Sequence, residues 1–326
     1  MSSHAETVFS VDLILQAQRQ IRGLVHRTPL AHSVTLSEHL GVPVYLKLEC
    51  LQKTGSFKPR GAFFKLLSLS ADEKAAGVVA VSGGNHAQGV AYAARQLGLH
   101  ATICMPASTP ANYLDATRGY GAEVVLCEHI AAAFARAEQL RQQGLTLVHP
   151  FDDPHVAAGQ GTVGLEILED LPDASRVYVS IGGGGLIAGM ATVMKAAHPG
   201  IRIFGCETEG ADAMAQAVAA GKIVELAQIT SIARTLGSPK VCDFTFDAVR
   251  KMVEEVIVVS DAAAFAGLEQ ILERTKILVE PAASCCLAAA EKHRGTFAPG
   301  EKVVLLMCGG NVSLADVCGF RQRFGW

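Results

Sequence analysis

Lys58 is the first candidate for chemistry, because it stands directly before a proline in Lys53-Thr54-Gly55-Ser56-Phe57-Lys58-Pro59-Arg60-Gly61-Ala62. Proline is common in the first turn of a helix, so we expect Lys58 at a helix N-terminus. The positive end of that helix and the nearby Arg60 would lower the pKa of the Lys58 ammonium and make it a nucleophilic amine. Most lysines beside a proline are ordinary surface residues. The hypothesis that Lys58 is catalytic therefore depends on the other segments described below.

Three glycine-rich segments each follow a run of β-branched residues that is typical of a strand. They are Ser82-Gly83-Gly84-Asn85-His86, the tetraglycine segment Gly182–Gly185, and Cys308-Gly309-Gly310-Asn311. Ligands of open α/β sheets bind beyond the carboxyl ends of strands. In the tetraglycine segment, backbone N–H groups can converge on an anion at the start of the following helix. We therefore expect a phosphate site built from main-chain donors, in preference to a simple tight turn.

A competing interpretation concerns Gly183-Gly184-Gly185-Leu186-Ile187-Ala188, which also fits the G-x-G-x-x-A dinucleotide fingerprint. Glu207 ends the next predicted strand, near the distance expected of a ribose-binding acid. Together they would indicate an NAD-dependent oxidoreductase. That interpretation leaves the other two glycine-rich loops without a role, so it remains the remote alternative.

Short β-branched runs alternate with alanine-rich stretches of helical length along the chain. This alternation predicts an α/β fold with mostly parallel sheets that are covered on both faces. The turn-rich break between Pro150 and Pro154 is a candidate crossing between two lobes. The predicted strands are Val44–Leu48, Val78–Ser82, Ala101–Met105, Glu123–Leu126, Leu145–Val148, Arg176–Ile181, Arg202–Cys206, Val256–Val259 and Val303–Met307. The predicted helices include Asn85–Leu97, Ala131–Gln142, Leu186–Ala197 and Ala262–Arg274.

The composition is that of a globular protein with ample apolar material for two lobes. Of 326 residues, 50% are hydrophobic and 18% are charged. The net charge of −3 offers no basic surface, so nucleic acid is not expected as a partner. Neither a membrane span nor a signal peptide is predicted, and we expect a cytoplasmic protein. The nine cysteines contain no C-x-x-C pair, which argues against a disulfide framework or a zinc site.

The lysine segment, extended back to Leu48, and the three glycine-rich loops together resemble the fold-type II pyridoxal 5′-phosphate (PLP) enzymes. The closest resemblance is to the serine/threonine dehydratase and serine racemase family, and it extends from about residue 10 to 316. It implies a two-lobed fold like that of the tryptophan synthase β chain. Residues 1–76 and 149–326 would form the large PLP-binding domain, and residues 77–148 the small domain. The resemblance also implies a homodimer that acts on a small amino acid.

The resemblance implies a role for each of the residues that match the family's motifs. Lys58 would bind PLP as a Schiff base and later move the α-proton. The other ring contacts would come from Phe57 on one face, Asn85 at the ring hydroxyl, Glu280 nearby and Cys308 at the ring nitrogen. Gly182, Gly183, Gly184 and Gly185 would hold the phosphate. Ser82 is a further catalytic candidate, and the substrate carboxylate would be received by Ser82, Gly83, Gly84, Asn85 and His86.

Cys308 indicates which reaction would follow. A carboxylate at the ring nitrogen makes PLP a deep electron sink, and a thiol cannot do this. Loss of the β-hydroxyl of an L-β-hydroxy amino acid is therefore expected, which yields a 2-oxo acid and ammonia. Gly83 occupies the place at which racemases of the family carry a second serine. A dehydratase is accordingly favoured over the serine racemase alternative.

Three departures from the family pattern leave the substrate and a metal site open. Arg234 replaces an acidic residue near the ring and is expected to pair with Glu280 or to contact the substrate. Tyr113 lies where relatives often have lysine. A substrate bulkier than serine or threonine, such as phenylserine or 3-hydroxyaspartate, is therefore a further possibility. Glu207 and Ala211 match two of the three ligands of the racemases' divalent-cation site, which leaves binding of Mg²⁺ or Ca²⁺ undecided.

Overall fold

Two β-sheets with helices packed around them form the framework of the protein, which the computed structural model describes over residues 8–325. The strands in this range are β1 Leu30–His32, β2 Val44–Lys47, β3 Val78–Val81, β4 Ala101–Pro106, β5 Glu123–Cys127, β6 Thr146–Leu147, β7 Arg176–Ser180, β8 Arg202–Thr208, β9 Glu255–Val259 and β10 Val303–Leu306. The α-helices are α1 Val11–Gln20, α2 Val34–Leu40, α3 Lys58–Leu67, α4 Ala71–Ala76, α5 Asn85–Gln96, α6 Ala111–Gly119, α7 Ile130–Gln142, α8 Pro154–Asp170, α9 Gly185–Ala197, α10 Ala213–Ala220, α11 Asp243–Met252, α12 Asp261–Thr275, α13 Pro281–Lys292 and α14 Leu314–Phe324.

The larger sheet has six strands in the order β1-β2-β10-β7-β8-β9. Its strands are parallel except for β1, which pairs antiparallel with β2. The smaller sheet has four parallel strands in the order β5-β4-β3-β6. The predicted α/β fold is confirmed. We propose that the smaller sheet and its helices are the small domain predicted for residues 77–148.

Each of the nine predicted strands and four predicted helices corresponds to an observed element, and its boundaries agree with the observed ones to within two residues. The sequence did not indicate β1, a three-residue edge strand with too little periodicity to recognise. The turn-rich break forms the N-terminus of α8. Pro154 is the first residue of this helix, and the Asp153 carboxylate caps it by accepting hydrogen bonds from the amides of His155 and Val156.

Helix α3 is held in place by a buried cluster of charges that we call the ion cluster: Lys47, Glu49, Arg60 and Glu166. Arg60 donates 2.8 Å hydrogen bonds from Nε and Nη2 to the two oxygens of Glu49, and a 2.7 Å bond from Nη1 to Glu166 Oε1. Lys47 Nζ donates to Glu166 Oε2 over 2.6 Å. All four residues are buried. The cluster thus ties β2 and the turn after it to α3 and α8.

No helix in residues 8–325 combines the length and the apolar character that crossing a bilayer requires. The prediction that the N-terminus carries no signal peptide rests mainly on residues 1–7, which lie outside the described residues.

Arg60→Met should strongly destabilise the fold. Removing one partner of a buried ion pair leaves uncompensated charge and costs about 3–5 kcal/mol. The matched control is Arg27→Met, because Arg27 pairs with Glu169 and Asp170 while half of its side chain is exposed, and such pairs contribute at most about 1 kcal/mol. Urea denaturation followed by circular dichroism measures both. Equal losses in the two variants would contradict a special role for the ion cluster.

Candidate active site

Lys58 begins α3, as the sequence predicted, and its Nζ donates a 3.0 Å hydrogen bond to the carbonyl oxygen of Pro150. The desolvation of the amine by surrounding protein lowers its pKa to about 8, against the opposing influence of the nearby Cys308 and Glu280. The expectation that Arg60 would lower this pKa is wrong, because the guanidinium turns away into the ion cluster. A substantial fraction of the amine is therefore neutral slightly above pH 7, and most of it above about pH 8, so it is available as a nucleophile or base.

The lysine segment is joined to the loop after β10 by backbone hydrogen bonds. The amide of Phe57 donates to the Cys308 carbonyl oxygen over 3.1 Å, and that of Gly310 donates to Gly55 over 2.9 Å. Cys308 is buried, and burial raises the pKa of its thiol well above the ordinary value. The thiol is consequently protonated and neutral beside Lys58.

Asn85, Glu280 and Asn311 form a hydrogen-bonded chain across the site. Asn85 Nδ2 donates to Glu280 Oε1 over 2.9 Å, and Asn311 Nδ2 donates to Asn85 Oδ1 over 2.8 Å. Burial raises the pKa of the Glu280 carboxyl to about 7. Its second oxygen, Oε2, is buried and has no hydrogen-bond partner among the described residues. Such an atom is costly to leave unpaired, so it marks a place for a ligand group.

The loop Ser82–His86 follows β3, and its side chains mostly hold the loop itself. Ser82 Oγ accepts a 3.0 Å hydrogen bond from the amide of Gly84. His86 Nε2 lies 2.8 Å from the carbonyl oxygen of Val148, so it carries the proton. Burial, with the nearby Lys58, lowers the pKa of His86 to about 3. The imidazole is therefore neutral and a weak base, and the backbone of the loop is what remains to meet a carboxylate.

The tetraglycine segment follows β7 and leads into α9. Gly184 has a φ of +92° and supplies no capping side chain, so the first amides of α9 have no side-chain acceptor. A Cβ on Gly183 would lie 2.0 Å from Cδ1 of Phe151, and a Cβ on Gly184 would lie 2.7 Å from Cβ of Thr245. Glycine is therefore required at these two positions, and backbone N–H groups at the start of a helix can receive an anion. This cradle and the unpaired Glu280 oxygen fit the phosphate and the ring of PLP.

Tyr113 and Arg234 line a cleft together with Thr235, Glu280 and Asn311. The Tyr113 hydroxyl donates to the carbonyl oxygen of Asn311. Arg234 is exposed, and its nearest carboxylate is that of Asp316 at 3.9 Å. The predicted pairing of Arg234 with Glu280 is therefore wrong.

Glu207 and Ala211 belong to no group of three or more His, Cys, Asp or Glu side chains that could hold a metal ion within the described residues. The Glu207 carboxylate accepts hydrogen bonds from the amides of Met214 (3.1 Å) and Ala215 (2.8 Å), which caps α10. Burial raises the pKa of Glu207 to about 8. The divalent cation stays a prediction.

Sequence reasoning missed several contributors to this site. Phe151 packs against the tetraglycine segment, Pro150 accepts from Lys58, and Thr235 donates to Glu280 over 2.8 Å. The break between Pro150 and Pro154 was a signal that something unusual lies there. Nothing in the sequence shows that Phe151 faces Gly183, because 32 positions separate them.

The family follows from a match of residues 21–309 to the family described as pyridoxal-phosphate dependent enzyme. The chain belongs to this family. It is 45% identical to the L-threonine ammonia-lyase of Geobacter sulfurreducens over 313 residues, which cover 95% of this chain and 78% of that protein. It is 40% identical to the catabolic L-threonine dehydratase TdcB of Staphylococcus aureus, over 96% of this chain and 92% of that one.

Solved structures agree with this membership. Maize serine racemase superposes with a TM-score of 0.92 at 36% identity, over 97% of this chain and 98% of that one. The T.th. threonine deaminase gives a TM-score of 0.88 at 39% identity, over 94% and 99%. This PLP-dependent enzyme is a lyase, as the sequence predicted. The NAD alternative is left without its ribose-binding acid, because Glu207 caps α10.

The rate at which PLP becomes attached to Lys58 should rise as the pH rises through about 8 and then level off. Only the neutral amine is nucleophilic, and a pKa of about 8 leaves roughly a quarter of it neutral at pH 7.5, against about a thousandth for an ordinary lysine. Stopped-flow absorbance after mixing the PLP-free protein with PLP measures the rate. Free Nα-acetyllysine is the control. A rate that rises to pH 10 in both samples would contradict the low pKa of Lys58.

Gly183→Ala should weaken PLP binding by at least about tenfold, because its Cβ would overlap the Phe151 ring and force a shift of the phosphate cradle. Gly200→Ala is the matched control, since a Cβ there meets no heavy atom within 4 Å. Fluorescence titration with PLP gives both affinities. The cradle is misassigned if both variants bind PLP like the unmodified protein.

Proposed function

We propose that the protein is an ammonia-lyase that converts L-threonine and L-serine to the corresponding 2-oxo acid and ammonia. The named activities of the curated relatives support this proposal. The observation that carries it is the asymmetry of the site. Lys58 is a base with a pKa of about 8, whereas the loop Ser82–His86 contributes no strong base. Elimination from one enantiomer needs only one such base.

The residues divide the work as follows. When bound, PLP withdraws electrons from the α-carbon of the attached amino acid. Lys58 Nζ accepts the α-proton, and its lowered pKa suits this role near neutral pH. The neutral thiol of Cys308 cannot keep a proton on the ring nitrogen as a carboxylate would. The electron pair left at the α-carbon thus forms a double bond to the β-carbon as the C–O bond breaks, and the hydroxyl leaves with a proton as water.

The loop Ser82–His86 would receive the substrate carboxylate through its backbone amides and Asn85. Ser82 supports the loop through its bond to the amide of Gly84. The two residues that suggested a bulkier substrate are engaged elsewhere: the Tyr113 hydroxyl is bonded to Asn311, and Arg234 lies at the surface near Asp316. Both placements remove the reason for preferring phenylserine or 3-hydroxyaspartate to serine and threonine.

The predicted homodimer and cytoplasmic location belong to the same proposal. Light scattering after size exclusion would measure the assembly, and a mass equal to one chain would contradict the dimer. Divalent cations are tested in the same preparation by comparing thermal stability with and without EDTA.

The purified enzyme should release ammonia and 2-oxo acid from L-threonine and L-serine, with lower kcat/KM for threo-phenylserine and threo-3-hydroxyaspartate. Coupled assays for ammonia and for the oxo acid measure all four substrates. Lys58→Ala should abolish turnover. Lys53→Ala is the matched control, because Lys53 lies in the same segment with its amine over the Tyr92 ring. Absence of ammonia with all four substrates would refute the lyase proposal while leaving PLP binding intact.

Racemisation is the second candidate, because maize serine racemase is similar over nearly the whole chain. Gly83→Ser should introduce detectable formation of D-serine from L-serine, since it adds a hydroxyl at the position where racemases of the family carry a second serine. Gly83→Ala is the control, because it places the same Cβ, 2.8 Å from Thr109 Oγ1, without a hydroxyl. Chiral chromatography separates the products. If the serine variant gains nothing over the alanine variant, Gly83 does not decide between the two reactions.

A further inference from the structure

Thr235 connects two parts of the site, although nothing in the sequence assigned it a role. Its Oγ1 donates a 2.8 Å hydrogen bond to Glu280 Oε1, the same oxygen that accepts from Asn85 Nδ2 over 2.9 Å. Its methyl group lies on the side of the loop Ser82–His86, where a Cβ on Gly84 would be 3.5 Å away. Thr235 is half-buried and lines the cleft.

The two donors make the oxygens of Glu280 unequal. Oε1 accepts two hydrogen bonds, which use its two lone pairs. Oε2 is buried and makes no hydrogen bond of good geometry among the described residues, although the backbone of Asn311 lies close enough to favour the charged carboxylate. Any proton on the carboxyl is therefore carried by Oε2, and Oε2 is the oxygen left to bond a ligand group.

We propose that Thr235 is a positioning residue that, together with Asn85, holds Oε1 of Glu280 and so turns Oε2 toward the reacting groups. The inference deepens the proposed lyase function and rests on it only for the readout of activity. Without the hydroxyl of Thr235, Asn85 is the single side chain on Oε1. The carboxyl could then rotate and bond through either oxygen.

The surroundings of Glu280 make this hydrogen bond measurable. Burial raises the pKa of Glu280 to about 7. The hydrogen bonds from Thr235 and Asn85, the backbone of Asn311 and the charge of Lys58 act against that rise because they stabilise the carboxylate. The ionisable groups that face Glu280 or lie at the rim of its cleft are Lys58, Cys308, Cys50, Tyr113, Arg234 and Asp316. None of them is altered by a change at Thr235, so a shifted titration would report the lost bond.

The test compares Thr235→Val, which keeps the shape and loses the hydroxyl, with Thr235→Ser, which keeps the hydroxyl and loses the methyl. The visible absorbance of the PLP-loaded protein is titrated from pH 5 to 9, and kcat/KM for L-threonine is measured over the same range. In Thr235→Val the midpoint of the Glu280 transition should lie about one pH unit above that of the unmodified protein, because a hydrogen bond to the charged form is lost. Thr235→Ser should keep the original midpoint.

Glu280→Gln is the control that assigns the transition to Glu280, since this substitution should abolish the transition in the absorbance titration. An unchanged midpoint in Thr235→Val would overturn the inference, as would an equal shift in Thr235→Ser or a transition that survives in Glu280→Gln. The absorbance data separate this inference from the proposed function. A shifted midpoint without ammonia release refutes the lyase alone, and ammonia release without a shift refutes the role of Thr235 alone.

Discussion

The buried ion cluster decides where α3 begins, and the position of Lys58 follows from it. Charges removed from water cost several kcal/mol each unless they are paired with good geometry, and the bidentate contact of Arg60 with Glu49 meets that demand. Glu166 completes the cluster from α8 by accepting from both Arg60 and Lys47. The three elements cannot slide past one another without breaking these bonds. Lys58 lies two residues before Arg60 in the same helix, so its position in space is fixed as well.

Glycines allow the same helices to come close enough for this arrangement. A Cβ on Gly61 would lie 2.5 Å from the Val156 carbonyl oxygen, and one on Gly159 would lie 2.5 Å from that of Arg60. The backbones of α3 and α8 are thus in direct contact beside the ion cluster. The packing that positions Lys58 and the charges that anchor it depend on each other, because larger residues would separate Arg60 from Glu166.

Features that depend on residues close together in the sequence could be predicted, and they cover much of the fold. Contacts between residues far apart in the sequence could not be predicted. The strands followed from β-branched runs, and the tight turn before α9 from four consecutive glycines. Binding of a phosphate there stays a prediction. The errors concern charged side chains. Arg60 finds Glu166 106 positions away, and Arg234 lies beside Asp316 and not Glu280. The sequence shows which residues are adjacent to a charged side chain along the chain. Its ion-pair partner is determined by which residues are buried next to it in the folded structure.

The neutral thiol of Cys308 is consistent with the charge balance around Lys58. The site already contains Glu280, whose carboxyl has a pKa of about 7 because it is buried. A carboxylate in place of Cys308 would raise the pKa of Glu280 further, since like charges at short distance oppose ionisation, and it would stabilise the charged form of Lys58. Both changes would remove a free base near neutral pH. A neutral thiol at this position therefore leaves Lys58 able to accept a proton.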